Sequence, residues 1–219
     1  SGAGTLIFTG ANTYTGGTAI SGGTLQLGLA GAFGTSGNLG AGEVLDNGTL
    51  AFDRSDVSTV GNVISGVGGI AQIGSGTTDL TGTDSYTGTT AVENGTLQIG
   101  TGGELSIGTD VTLGSGSTGG VLVLGDGTSA LDLTIGSLAS VGPGNAVING
   151  NGTGTSVLIL SDAVSATYGG VLGGAGANQN NLALVMDGSG TETLTGANTY
   201  TGGTTLANGT LDAGSAGAL

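Results

Sequence analysis

The chain has no cysteine, no histidine, no lysine and no tryptophan, and its only basic side chain is Arg54. Without cysteine there is neither a disulfide framework nor a thiolate centre. Without histidine as well, Ser-His-Asp and Cys-His nucleophilic machinery are impossible, and the serine hydroxyls lack a base. A zinc site would have to be built from carboxylates alone, against the metal's preference for nitrogen and sulfur. Fifteen acidic residues give a net charge of -14, so no cationic track exists to displace counterions from DNA or RNA. Anionic membrane surfaces are disfavoured for the same reason, and no apolar run approaches the length of a spanning helix. With one arginine, ion pairs cannot be what holds the fold together. The missing lysines leave trypsin-like proteases a single position, after Arg54, which suits an extracellular life.

Proline is also scarce, with Pro143 alone among 219 residues, whereas glycine is abundant at 52. No Gly-x-y period runs through the chain, which excludes collagen, and the proline content excludes a proline-rich linker. The hydrophobic fraction of 37% can supply a core. Its apolar residues fall in short runs such as TLQLG, VLVLG, SVLIL and NLALVM, bounded by Gly, Asn, Ser and Asp. That is strand punctuated by turn. No segment keeps the three-four spacing of an amphipathic helix over three turns.

One phrase recurs. TGANTYTGGT stands at residues 9–18 and again at 195–204, with the looser TGTDSYTGTT at 81–90. Each copy runs without a gap into a second phrase: GGTLQLG, NGTLQIG or NGTLDAG. Tyr14, Tyr86 and Tyr200 fall in register, 72 and 114 residues apart, and a partial copy, NGTLAF, lies at 47–52. Such offsets divide into turns of about 18 to 25 residues, the size of solenoid coils. The modules span residues 5–28, 78–100 and 193–214 of a single domain, 1–219.

Residue by residue, Leu25/Leu27 and Leu97/Ile99 stand at i and i+2 and point to one side of a strand, with Gln26 and Gln98 on the other. Leu211 takes the place of Leu25 and Leu97 in the last copy. Gly23, Gly95 and Gly209 stand where the chain turns into that strand, a position for positive φ. Upstream, Gly10, Asn12, Tyr14 and Gly16, matched by Asn198, Tyr200 and Gly202, frame a corner. Thr13–Thr15 reads as a short strand and Thr18–Ile20 as the next. The few aromatics suit a thin core, with Phe8, Phe33 and Phe52 inside and the tyrosines at corners with their hydroxyls wet. The expected fold is all-β, a single-stranded right-handed parallel β-helix (β-solenoid) of about nine or ten coils and about 45 Å. The poorly matching stretch 121–179 reads as an insertion or a coil of different length.

The strings FTGANTYTGGTAISGGTLQLG (8–28) and LTGANTYTGGTTLANGTLDAG (194–214) resemble the passenger-associated transport repeat of bacterial autotransporters. The resemblance implies a β-helical passenger exported across a Gram-negative outer membrane and displayed or released, with the repeat assisting folding and export. It implies an extracellular or cell-surface structural or adhesive element serving as stalk, adhesin or fibre-forming subunit, and no enzyme. The implied partners are cell-surface or glycan ligands, or another copy by end-to-end association. No nucleic acid is expected, and contact with a membrane only through a translocator barrel, whose alternating ten-residue strands do not occur here. The chain opens on Ser1 and stops inside coil-like sequence at GSAGAL, so it reads as a fragment of a longer passenger.

The residues leave two other classes open. A carboxylate-dependent glycan hydrolase, or a glycan-binding β-helix, would use acids on adjacent coils; the candidates are Asp53 and Asp56 around Arg54, and Asp79, Asp84 and Glu93. Their competing role is a solvated corner with one local ion pair. An ice-binding solenoid would use Thr13/Thr15 and Thr199/Thr201, although the middle copy reads Ser85-Tyr86-Thr87 and the spacing is irregular. No cofactor is expected. Weak surface calcium fits the charge, but LGDGTSALDL (124–133) and GGAGANQNN (173–181) depart from the nonapeptide of calcium-binding solenoids and read as turns.

Overall fold

The computed structural model describes residues 2–30, 34–150, 152–161 and 163–219. The chain folds as a parallel β-helix, and among the described residues there is no helix. Strands lie on up to three faces of each coil, always in the same order. The first face carries the longest ladder: Thr5–Phe8, Thr24–Leu27, Thr49–Phe52, Gly69–Gln72, Thr90–Val92, Val111–Leu113 and Leu138–Ser140. Ala166–Tyr168, Thr191–Leu194 and Thr210–Ala213 continue that face as a second ladder abutting the first. The second face stacks Val57–Val60, Thr77–Leu80, Gly95–Ile99, Gly120–Leu124, Ala146–Asn149 and Val171–Leu172. The third begins with Thr18–Ile20, Val44–Asp46 and Ile64–Ser65, and is taken up in later coils by Asp132–Ile135, Ser156–Leu160, Leu182–Met186 and Thr204–Leu206. Between those groups, Asp84, Ser85 and Glu104 carry the third face by backbone hydrogen bonds without a regular strand.

Every strand pairing is parallel, so the strands' backbone donors and acceptors are satisfied by the coils on either side. The inward side chains stack in columns by the same register. Leu25, Leu50, Ile70, Thr90, Val111 and Leu138 form one, and Leu97, Leu122, Val147 and Leu172 another. Nearly all of these side chains are fully buried. A buried Leu or Ile is worth about 1.5–3 kcal/mol, and no coil could secure that alone, because its interior is closed by its neighbours.

The spacing between stacked partners differs from the expected range at its upper end. Thr5 pairs with Thr24, 19 residues on, but Val111 pairs with Leu138, 27 residues on. The extra residues leave the coil at corners, in loops such as 125–131, 141–145 and 173–181. This is how the stretch that matches the repeat poorly keeps the same ladder. Of the three phenylalanines, Phe52 is buried and Phe8 packs against the core from one side; Phe33 lies outside the described residues.

The repeated corner as candidate functional site

The three copies share their local geometry. Gly23, Gly95 and Gly209 have φ of 73°, 65° and 68°. In each, a Cβ would land on two carbonyl oxygens of the neighbouring coil, those of Gly2 and Gly4, Gly74 and Gly76, and Gly188 and Gly190. Glycine is required there twice over, by backbone conformation and by close approach. Gly10 and Gly16 differ: their φ values are not positive and nothing lies within 4 Å of an added Cβ. Gly202 lacks positive φ as well, but a Cβ on it would meet that of Ala183 at 2.8 Å.

Thr13–Thr15 is not a strand but an irregular corner. The reason lies in the tyrosine between the two threonines, which turns inward and closes the loop. Tyr14 pairs its hydroxyl with Thr18 Oγ1 at 2.7 Å, Tyr86 with Thr90 at 2.6 Å and Tyr200 with Thr204 at 2.5 Å. The expectation of wet tyrosine hydroxyls therefore fails for two of the four. Tyr86 is 0% exposed, as is Tyr168, which lies outside the repeats, while Tyr14 and Tyr200 are half-buried. Burial raises the phenol pKa of Tyr86 and Tyr168 far above the ordinary range. Thr90 fits its aliphatic column because Tyr86 on one side and Thr109 Oγ1 at 3.0 Å on the other satisfy its hydroxyl.

The copies do not share one face. In the first and last, the threonine strand lies on the third face and the TL strand on the first. In the middle copy Thr90–Val92 lies on the first face and Gly95–Ile99 on the second. The module is thus a corner with its two flanking strands, usable at different corners of the coil. The leucines point inward in each setting: Leu25, Leu27, Leu97 and Ile99 are buried, and Leu211 is partly buried against the same core.

Asn12 and Asn198 are the polar members of the corner. Asn198 Oδ1 accepts from Leu172 N at 2.7 Å on one neighbouring coil, while Nδ2 donates to Ala218 O at 2.6 Å on the other. Asn12 Nδ2 donates in the same way to Asn38 O at 2.7 Å. The middle copy has Asp84 at this place.

Of the acids proposed for chemistry, Asp53 and Asp56 are tied into structure, whereas Asp79 Oδ1 and Asp84 Oδ2 are buried without a hydrogen-bond partner. Asp53 accepts from Gln26 Nε2 at 2.9 Å and from Ala30 N at 3.0 Å. Arg54 grips Asp56 at 2.7 Å and also donates to Gly37 O and Thr35 O, pinning a wide loop; this pair holds the Asp56 carboxyl below its usual range. Burial, then the charge of Asp126, raises Asp79. Asp126 itself is held low by Thr128 and Thr101, whose hydroxyl and amide hydrogen bonds make it a turn residue. Two of the buried acids are Asp84, one of the hydrolase candidates, and Glu192, which the sequence did not single out. Asp84 is raised to about 7 and Glu192 to about 8, both chiefly by desolvation. The threonines of the ice-binding alternative are not gathered into one flat array, because the Ser85/Thr87 corner is set one face round from Thr13/Thr15.

Residues 1–27, 70–99 and 184–213 match the passenger-associated-transport-repeat family. Over 93 residues the chain is 40% identical to the adhesin BmaC autotransporter of Brucella suis biovar 1 (strain 1330). That stretch is 42% of this chain and 3% of the relative, so the chain spans a very small part of the relative's length. No solved structure matches the chain.

Proposed function

We propose, on the premise that this chain is a stretch of cell-surface autotransporter passenger built on passenger-associated transport repeats, that it acts as a stiff extracellular stalk. It holds adhesive surface away from the cell and performs no catalysis. The observation that carries this reading is the first face, whose two abutting ladders run from Thr5 to Ala213 over an interior filled by columns of aliphatic side chains. Such a solenoid is stable through nearest-neighbour contacts and grows by adding coils, which suits a chain that folds as it emerges. The long faces present Thr, Ser, Asn and Asp; direct binding of cell-surface or glycan ligands to them would make the segment the adhesin rather than its stalk. The absence of histidine, cysteine and lysine, with Asp53 and Asp56 committed to structural bonds, argues against a hydrolase.

The test is competition. Purified chain is added to an adhesion assay of cells displaying the whole passenger, alongside cells whose passenger lacks residues 24–209, a deletion that keeps the repeat phase. A stalk predicts no competition by the free chain and retained display of the shortened passenger. Competition by the free chain would move the adhesive function into this segment. Cleavage of a glycan by the chain would overturn the non-catalytic reading.

A further inference from the structure

The middle repeat differs from its sisters at one interior position, and the difference is chemical. Asp84 N donates to Glu104 O at 3.1 Å, as Asn198 N does to Gly217 O at 3.1 Å. Asp84 Oδ1 accepts from Ile64 N at 2.9 Å, as Asn198 Oδ1 accepts from Leu172 N. Ser85 N donates to Ile64 O, and Thr199 N to Leu172 O. Only the fourth contact is missing. Where Asn198 Nδ2 donates to the Ala218 carbonyl, Asp84 presents Oδ2, which is buried and has no partner. By the register of the other bonds, the carbonyl corresponding to Ala218 is that of Leu105.

An ionised carboxylate oxygen facing a carbonyl inside a protein is repulsive, and no cation is at hand to offset it. The chain's one basic side chain, Arg54, is paired with Asp56. The other titratable groups around the site are Tyr86 beside it, Asp46 on the same face two rungs away, and Glu104 and Asp110 in the adjoining coil. Tyr86 is bonded to Thr90, Asp46 Oδ1 to Gly48 N, and Asp110 to Ser137; Glu104 is exposed. None supplies positive charge.

We propose that Asp84 is carried protonated in the folded solenoid and donates through Oδ2–H to the Leu105 carbonyl, so that the middle repeat is a proton-dependent clasp between coils. Asn198 makes the same bridge, and Asn12 its Nδ2 half, at any pH. The Asp84 clasp holds at acid pH and is released as the carboxyl ionises, loosening the coils around residues 62–66, 84–90 and 104–106. Burial raises this carboxyl to about 7, in keeping with that reading. For an acid whose folded pKa is raised, the stabilising contribution is complete below the unfolded value near 4 and is lost as pH rises through the folded value.

The experiment compares the wild-type chain with Asp84→Asn. Urea midpoints at pH 5.5 and 8.5 should show the wild-type folding equilibrium weakened by about thirtyfold more than that of the variant. Asp46, Asp79 and Glu192 add a pH dependence common to both chains, so the difference between them isolates Asp84. Equal pH dependence in the two would overturn the proposal. Should the variant fail to fold, the backbone amide shifts of Asp84 and Ser85 in labelled wild-type chain decide the matter. A titration near neutral pH supports the clasp, and one complete below pH 5 refutes it.

Discussion

Gly95→Ala tests the geometry of the repeated corner most directly. The left-handed φ of 65° costs an alanine about 1–2 kcal/mol. The new methyl also lands on the carbonyls of Gly74 and Gly76. To escape it, the strand Gly95–Ile99 must move off its neighbour, which strains the hydrogen bond from Thr96 N to Gly76 O at 2.9 Å. Losing that bond adds about 1 kcal/mol, for a total of about 2–3 kcal/mol. In a chain of this length the melting temperature should fall by about 5–10 °C. Gly10→Ala is the internal control, because its φ is not positive and no atom lies within 4 Å of the added carbon. It should be neutral within about 0.5 kcal/mol, or slightly stabilising through the unfolded chain. Far-UV circular dichroism during thermal and urea unfolding measures both variants. A Gly95→Ala chain as stable as the control would refute the claim that this glycine is demanded by coil stacking.

Tyr86→Phe should cost about 1 kcal/mol, since Thr90 keeps Thr109 as partner, and Tyr14→Phe, half-exposed, should cost less; urea midpoints compare them. Leu97→Ala, fully buried in a column with Leu122, should cost about 2–5 kcal/mol by the same measurement, and a smaller loss would mean the coils collapse onto the gap. Glu192→Gln should stabilise the chain at pH 9 relative to wild type and do little at pH 5. The reason is that burial raises this carboxyl to about 8, so its protonated form fits the folded state and the wild type loses stability as pH rises through that value. An unchanged difference between the variant and wild type across pH 5–9 would contradict that assignment.

Much of the fold was legible because the parallel solenoid writes its core locally. The i, i+2 spacing of Leu25/Leu27 and Leu97/Ile99 identifies half-buried strands, and the glycine before each identifies the turn. What escaped was set by stacking rather than by local sequence. Thr13-Tyr14-Thr15 has the composition of a strand, yet the hydroxyl bond from Tyr14 to Thr18 and the packing of the next coil fold it into a corner. Nothing in TGTDSYTGTT announces that its tyrosine is sealed inside, because that depends on coils above and below. The face on which each copy falls was equally hidden, since coil lengths from 19 to 27 residues blur any period. Asp84 was visible as a departure from asparagine, but its weight came only from seeing which oxygen lacks a partner. Glu192 had no signal at all: its carboxyl reaches past Ala166 to the backbone of Leu138, two rungs away, where the two ladders of the first face meet.

The rotation of the middle copy bears on how such a chain can change length over generations. The first and last copies share TGANTYTGGT residue for residue and specify strands on the same two faces. A crossover between them excises a whole number of turns, and the strand after the junction arrives on the ladder it would have joined anyway. A crossover between either of them and the middle copy removes a fractional turn and sets each later strand one face round, under columns it was not matched to. Shortening by recombination is therefore gated by phase: pairing of the outer copies preserves the stacking, and pairing of either with the middle copy breaks it.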